Sequence, residues 1–141
     1  MLFLRRRIRV FLIYARHDKE IVRGLYNCMI KDGMDVWLDE KKLLPGQNWK
    51  MEIRRAIVES DIVIVCLSRQ FNKRNGYRHK ELKIALEKAT LLPDDEIFVI
   101  PVRLEECDMP ESLLYLHRVD LFGVGGYKKM MRVLRVRGAE G

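Results

Sequence analysis

The stretch Tyr77-Arg-His-Lys-Glu81-Leu82 sets an aromatic ring and a carboxylate four residues apart. On a helix, positions i and i+4 stand on one face, one above the other. A carboxylate can stabilise positive charge or form a covalent adduct, and a flat ring can stack on a planar group. A second role for Glu81 is that of an ordinary solvated helix residue beside Lys80 and Lys83. The surrounding chain has to decide between them.

That surrounding chain has a definite pattern. Leu82, Ala85, Leu86 and Ala89 fall at helical spacing, and Tyr77 and Glu81 stand outside this stripe. Before it comes Asp61-Ile-Val-Ile-Val-Cys-Leu-Ser68, an apolar run that reads as a buried central strand. Ile8–Tyr14 reads as a first strand, Met34–Leu38 as a second, Glu96–Val102 as a fourth and His117–Leu121 as a short edge strand. Between them lie helical patterns over Lys19–Asp32 and Trp49–Glu59, with Asp18 and Asn48 as expected N-caps. Ile21, Val22, Leu25, Cys28 and Met29 mark the inner face of the first, and Trp49, Ile53, Ala56 and Ile57 that of the second. Ser68–Gly76 reads as a loop, and Tyr127, Met130, Met131 and Leu134 as the inner face of a last helix.

Strands alternating with helices imply a parallel sheet covered on both faces. Five strands in a chain of 141 residues fit an α/β, flavodoxin-like three-layer fold with strand order 2-1-3-4-5. Ligands in such sheets bind beyond the strand C-termini where the order reverses, here between strands 1 and 3. That rule gathers Tyr14, Ala15 and Arg16, the loop 39–47 and the Ser68–Glu81 region around one opening.

Composition narrows the rest. With 48% hydrophobic and 33% charged residues the chain can fill one core. No apolar run approaches the ~18 residues of a membrane span, and the N-terminus lacks signal-peptide order. Cys28, Cys66 and Cys107 are widely spaced without a Cys-x-x-Cys, which fits a reduced, cytoplasmic setting. The net charge of +7 is terminal: residues 10–127 hold 18 Lys+Arg against 19 Asp+Glu. Basic ends of this kind can steer the chain toward an acidic surface, but they argue against direct nucleic-acid binding. The ends of strands 1 and 3, Tyr14-Ala15-Arg16 and Cys66-Leu67-Ser68, lack the acidic cluster of a response-regulator phosphoacceptor. Phosphate-loop and dinucleotide fingerprints are absent, His17, His79 and His117 lack metal spacing, and Ser68 lacks a nucleophile elbow.

Three segments carry a family likeness. Val10-Phe-Leu-Ile-Tyr-Ala-Arg-His-Asp18 resembles the first box of the TIR (Toll/interleukin-1 receptor) domain. Trp37-Leu-Asp-Glu-Lys-Lys-Leu-Leu-Pro-Gly46 resembles its second box and BB loop, and Ile53–Ser68 with Phe71 the approach to its third helix. The resemblance covers residues 8–136, with 1–7 as a basic N-terminal extension and 137–141 as a tail or the start of a linker.

The enzymatic branch of that family hydrolyses NAD+, through an aromatic residue, three intervening positions and a catalytic Glu. The resemblance puts that Glu at Glu81 and the aromatic, usually Trp, at Tyr77, a smaller ring with a weaker π face. One carboxylate suffices for such a reaction, because nicotinamide leaves as a neutral base and needs no general acid, unlike an ordinary glycoside. The resemblance also implies roles around Glu81. Arg16 is either a phosphate contact or a solvated strand-end residue. Trp37 is a ligand contact or core. Asp39 orients the loop or touches substrate. Tyr14, Ser68 and Phe71 line the pocket or pack the loop. Leu43, Leu44, Pro45 and Gly46 form an interaction loop for TIR–TIR self-association, unless Leu43 and Leu44 tuck against Trp37 or Trp49. NAD+ is the substrate, and neither cofactor nor metal is implied. The expected setting is bacterial anti-phage immunity, with a fused sensor domain or partner protein. A non-catalytic interaction module acting through the BB loop is the competing reading, and a nucleoside- or nucleotide-processing relative the third.

Overall fold

β-branched and aliphatic residues dominate the inner strands because these strands are buried on both faces. The computed structural model of the chain describes residues 7–38, 43–73 and 77–140. Its strands are β1 (Arg9–Ile13), β2 (Asp35–Trp37), β3 (Ile62–Leu67), β4 (Val99–Arg103) and β5 (Val119–Asp120). Its helices are α1 (Lys19–Lys31), α2 (Trp49–Glu59), α3 (Arg69–Lys73), α4 (Tyr77–Ala89) and α5 (Gly126–Glu140). The strands form one sheet, parallel throughout, in the order β2-β1-β3-β4-β5. This is the expected flavodoxin-like arrangement.

Alternate side chains of each strand enter different cores, as a period of two requires. Val10, Leu12, Ile62, Ile64 and Cys66 meet Val22, Met29, Met130 and Leu134 of α1 and α5. Phe11, Ile13, Val63, Val65 and Leu67 meet Ile53, Ile57, Leu82 and Ala85 of α2 and α4. The path runs from β1 outward to β2 and then back across to β3. The order therefore reverses between β1 and β3, and the C-terminal ends of these two strands are where such sheets bind ligands.

Several local expectations need correction. The inner face of α1 is Val22, Leu25 and Met29; Ile21 is 57% exposed and Cys28 is exposed. Asn48 caps α2 as expected, its Oδ1 accepting from Met51 N–H at 3.3 Å, but Trp49 is exposed. The first turn of a helix points partly away from the sheet, so Trp49 is not held by the Ile53–Ile57 stripe. Residues 69–73, expected as loop, form α3. β4 starts later than expected and includes Pro101, which pairs with Val65. Proline is tolerated there because β5 pairs only with Val102 and Arg103, leaving that side of Pro101 outside the ladder. The last helix continues to Glu140, into the stretch set apart as 137–141.

Candidate active site

The segments that leave the C-terminal ends of β1 and β3 are tied together by side chains. After β1 the chain passes Tyr14, 2% exposed, and turns through Arg16–Asp18, with Asp18 N–H donating to Ala15 O at 2.8 Å. Arg16 and His17 point to solvent while Asp18 is 6% exposed. Asp18 occupies the N-cap position of α1 but makes no side-chain capping bond. Its Oδ2 instead accepts from Ser68 Oγ, just past the end of β3. Ser68 Oγ in turn accepts Phe71 N–H at 3.1 Å, which fixes the first turn of α3. Phe71 is buried, and its ring lies 5.4 Å from that of His79 in α4.

Two residues beyond His79, Glu81 is 1% exposed. It shares a helix face with Ala85, four positions on and fully buried. The buried stripe of α4 is therefore rotated from the sequence pattern: Glu81, Leu82 and Ala85 form it, while Leu86 and Ala89 are half-buried. A solvated Glu81 is excluded, because α4 lays this face against β1, β4 and α2. Few carboxylates sit this deep unless something compensates or uses them. On the opposite face of the sheet, in the core under α1 and α5, burial and then the charge of Asp18 push the Cys66 thiol up to about 12. Cys66 is thus no nucleophile, and Glu81 is the chemically distinctive group.

The expected site residues separate into groups. Tyr14, Ser68, Phe71 and Glu81 are all buried; Tyr14 packs in the core under α1 and α5, and Phe71 in the opposite core with Leu82 and Ala85 of α4. Ser68 and Phe71 hold the segment between β3 and α4, and the Ser68 hydroxyl is engaged within the fold. Arg16 stays at the rim. Tyr77 opens α4, but its side chain, like Asp39 and the lysines 41 and 42, lies outside the described residues. Trp37 belongs elsewhere: it stacks on Phe11, centroids 6.3 Å apart and planes 15° apart. It lines a cavity of about 330 Å³ with Arg9, Asp35, Glu52 and Arg55 at the β2 edge, away from Glu81. Among the described residues its indole N–H meets no acceptor.

The segment expected as an interaction loop holds a formed turn over residues 44–47. Gln47 N–H donates to Leu44 O at 3.1 Å, Gly46 has φ +89°, and Leu44 N–H donates to Gln47 Oε1 at 2.7 Å. Pro45 followed by a positive-φ Gly46 is the type II turn pattern. Leu44 is 68% exposed, so it is not tucked against Trp37 or Trp49; Leu43 is half-buried.

Asp18 and His79 were not among the expected site residues. Asp18 carried the signal of a helix cap, and only the fold reveals its long-range partner. A second cavity, of about 660 Å³, lies on the far side of α3, lined by Arg69, Asn72, Arg103 and Arg118 with Glu106 and Asp108. Arg103 is fully engaged there, by Asp120 at 2.7 and 2.8 Å, Glu106 at 3.3 Å and Cys107 O at 2.8 Å. Among the described residues, no group of three or more His, Cys, Asp or Glu is placed to hold a metal, and no helix is long and apolar enough to cross a membrane.

A five-stranded parallel sheet in the order 2-1-3-4-5 with helices on both faces defines a flavodoxin-like domain. The family model of the TIR domain matches residues 10–134, and the chain belongs to that family. It is 32% identical over 97 residues to the Uncharacterized protein y4cD of Sinorhizobium fredii (strain NBRC 101917 / NGR234), a match covering 68% of this chain and 15% of that protein. It is 36% identical over 74 residues to NAD(+) hydrolase TcpA of Theionarchaea archaeon (strain DG-70-1), covering 52% of this chain and 22% of that one. The chain thus spans less than a quarter of the length of these curated relatives. The TIR domain of the Toll-related Receptor TRR-2 from Hydra magnipapillata superposes with a TM-score of 0.74 at 24% identity, over 89% of this chain and 97% of that one.

Proposed function

We propose that this TIR domain is an NAD+ glycohydrolase that cleaves the nicotinamide–ribose bond, with Glu81 as the catalytic carboxylate. One observation carries the reading. Glu81, which the family resemblance aligns with the catalytic Glu of NAD+-cleaving TIR enzymes, is also the acidic side chain that α4 buries, at 1% exposure. The partial likeness to a protein named NAD(+) hydrolase supports it.

The chemistry fits a single acid. The base leaves neutral, so no proton donor is required. As the bond breaks, the ribose gains oxocarbenium character, and an adjacent carboxylate stabilises that charge or briefly adds to it. In a low-dielectric site this attraction exceeds its value in water. Nicotinamide and ADP-ribose, or a cyclic form of it, are the products, and NAD+ is substrate rather than cofactor. Arg16, exposed just after β1, is the proposed contact for the diphosphate.

At 1% exposure Glu81 cannot touch substrate until its cover moves. Self-association through the 43–47 turn is the proposed trigger, and cytoplasmic NAD+ loss during anti-phage defence the proposed outcome. Incubation of concentrated protein with NAD+, followed by chromatography, tests the reading. Release of nicotinamide by the wild type and its loss in Glu81→Gln are expected. A folded wild type that releases none at any concentration overturns it and leaves the non-catalytic interaction module.

A further inference from the structure

The buried polar or charged side chains among the described residues are Asp18, Ser60, Ser68, Glu81 and Arg103. Three of them, Asp18, Ser68 and Glu81, belong to the segments that close the switch point. Asp18 is the unexpected member. A carboxylate costs free energy to bury unless it is hydrogen-bonded, and at an N-cap it could have stayed in water and served its own helix. Instead it reaches 50 positions along the chain to Ser68, joining the segment after β1 to the segment after β3.

The linkage continues from there. Ser68 Oγ receives Phe71 N–H, and Asn72 N–H donates to Ser68 O at 3.3 Å, so both ends of Ser68 hold α3. A helix of five residues is too short to persist on its own and takes its position from such anchors. Phe71 passes that position to His79 through their ring contact, in the first turn of α4. Glu81 is two residues further along the same rigid helix.

We propose that Asp18 is a positioning residue for Glu81, acting through Ser68, Phe71 and His79; its kinetic consequence rests on the NAD+ reading above. Asp18 does not meet the reacting atoms. It sets where α3 and the start of α4 stand relative to β1, and thereby where the buried Glu81 carboxylate is held. Small misplacements of a catalytic group are expensive in rate, and a linked chain of contacts should respond as one unit.

The test compares Asp18→Ala, Asp18→Asn, Ser68→Ala and the double variant Asp18→Ala/Ser68→Ala. The Glu81 side-chain carboxyl carbon resonance and the exchange rate of the Phe71 amide report position without reference to activity. Asp18→Ala and Ser68→Ala should each shift the Glu81 resonance and speed Phe71 exchange. Asp18→Asn, whose amide oxygen still accepts from Ser68, should restore both. In turnover, Asp18→Ala should lower kcat by about 10- to 100-fold with KM within about twofold, and the double variant should be no worse than the poorer single one. A merely stabilising role would lower the melting temperature and leave the Glu81 resonance and the kcat of folded protein unchanged. An unmoved Glu81 resonance in folded Asp18→Ala or Ser68→Ala, or kinetic effects that multiply in the double variant, overturns the proposal. If the wild type releases no nicotinamide while the Glu81 resonance still follows Asp18, the positioning stands and the NAD+ reading alone fails.

Discussion

A buried carboxylate on α4 has two roles open to it, and charge removal separates them. Glu81→Gln keeps the shape and removes the charge that a developing oxocarbenium would feel. Turnover of NAD+ should fall by roughly 10²-fold or more, about 3 kcal/mol, as for loss of one preorganised electrostatic contact. Near-normal turnover in a folded variant would return Glu81 to packing. Tyr77 stands one helical turn before it in the sequence. If its ring stacks on nicotinamide or adenine, Tyr77→Ala should raise KM, whereas Tyr77→Trp, with more area and a stronger π face, should match or improve on the parent. Equal kinetics for the three forms would remove Tyr77 from the site. At this scale the sequence was informative about identity and poor about burial. Glu81 stands out in the sequence by its spacing to Tyr77 and its place after the third strand. Its immersion does not, because Lys80 and Lys83 flank it and the apolar stripe counted from Leu82 points one position away. Asp18 reads as a cap because an Asp after a strand and before a helical pattern usually is one; its tie to Ser68 exists only once β1 and β3 are adjacent.

The elements that were legible are those whose hydrophobic period is strong. β1, β3, α2 and the inner face of α5 lie where the apolar pattern puts them. The elements that were not are short or polar. α3 reads Arg-Gln-Phe-Asn-Lys, one apolar residue in five, and its helix is imposed by Ser68 rather than by periodicity. β5 is two residues long, and side chains secure it more than its ladder does. Arg103 of β4 meets Asp120 of β5 through two nitrogens, and Arg118 adds a third contact at 3.2 Å. The hydrogen bond from Arg103, against the opposing effect of burial, holds the Asp120 carboxyl at about 2, below its ordinary value of 3.8. The folded value is the depressed one, so the stabilisation is complete above about pH 4 and is lost as pH falls through about 2. Asp120→Asn should therefore cost ~2 kcal/mol near neutral pH, in the range for a hydrogen bond between charged groups. Melting curves of the two proteins should converge as pH approaches 2. A gap that is the same at pH 6 and pH 2 would show that the pair contributes through packing and not through charge.

Across the whole molecule, strand order followed from alternation and length, and the comparison with known proteins agrees with it. What a single chain does not specify is what it joins. The structure narrows this for the 43–47 turn: the turn is hydrogen-bonded, and it holds Leu44 out at 68% exposure with Met51 at 58% and Trp49 at 45%. A leucine held outward by a formed turn, rather than folded onto Trp37, is apolar surface offered to a neighbour. Glu81, meanwhile, is covered in the lone chain. If a second copy docking on the turn uncovers or completes the crevice, NAD+ turnover should rise faster than linearly with protein concentration and should be raised further by a fused oligomeriser. Leu44→Asp puts a charge into the contact. At so exposed a position it should change fold stability by no more than ~0.5 kcal/mol, and yet it should abolish both the concentration dependence and the sedimenting oligomer. Analytical ultracentrifugation beside nicotinamide release, over the same concentrations, measures the two together. Turnover strictly proportional to protein, or a Leu44→Asp variant that assembles and cleaves as the parent does, would assign the 43–47 turn to the monomer and require another cause for the uncovering of Glu81.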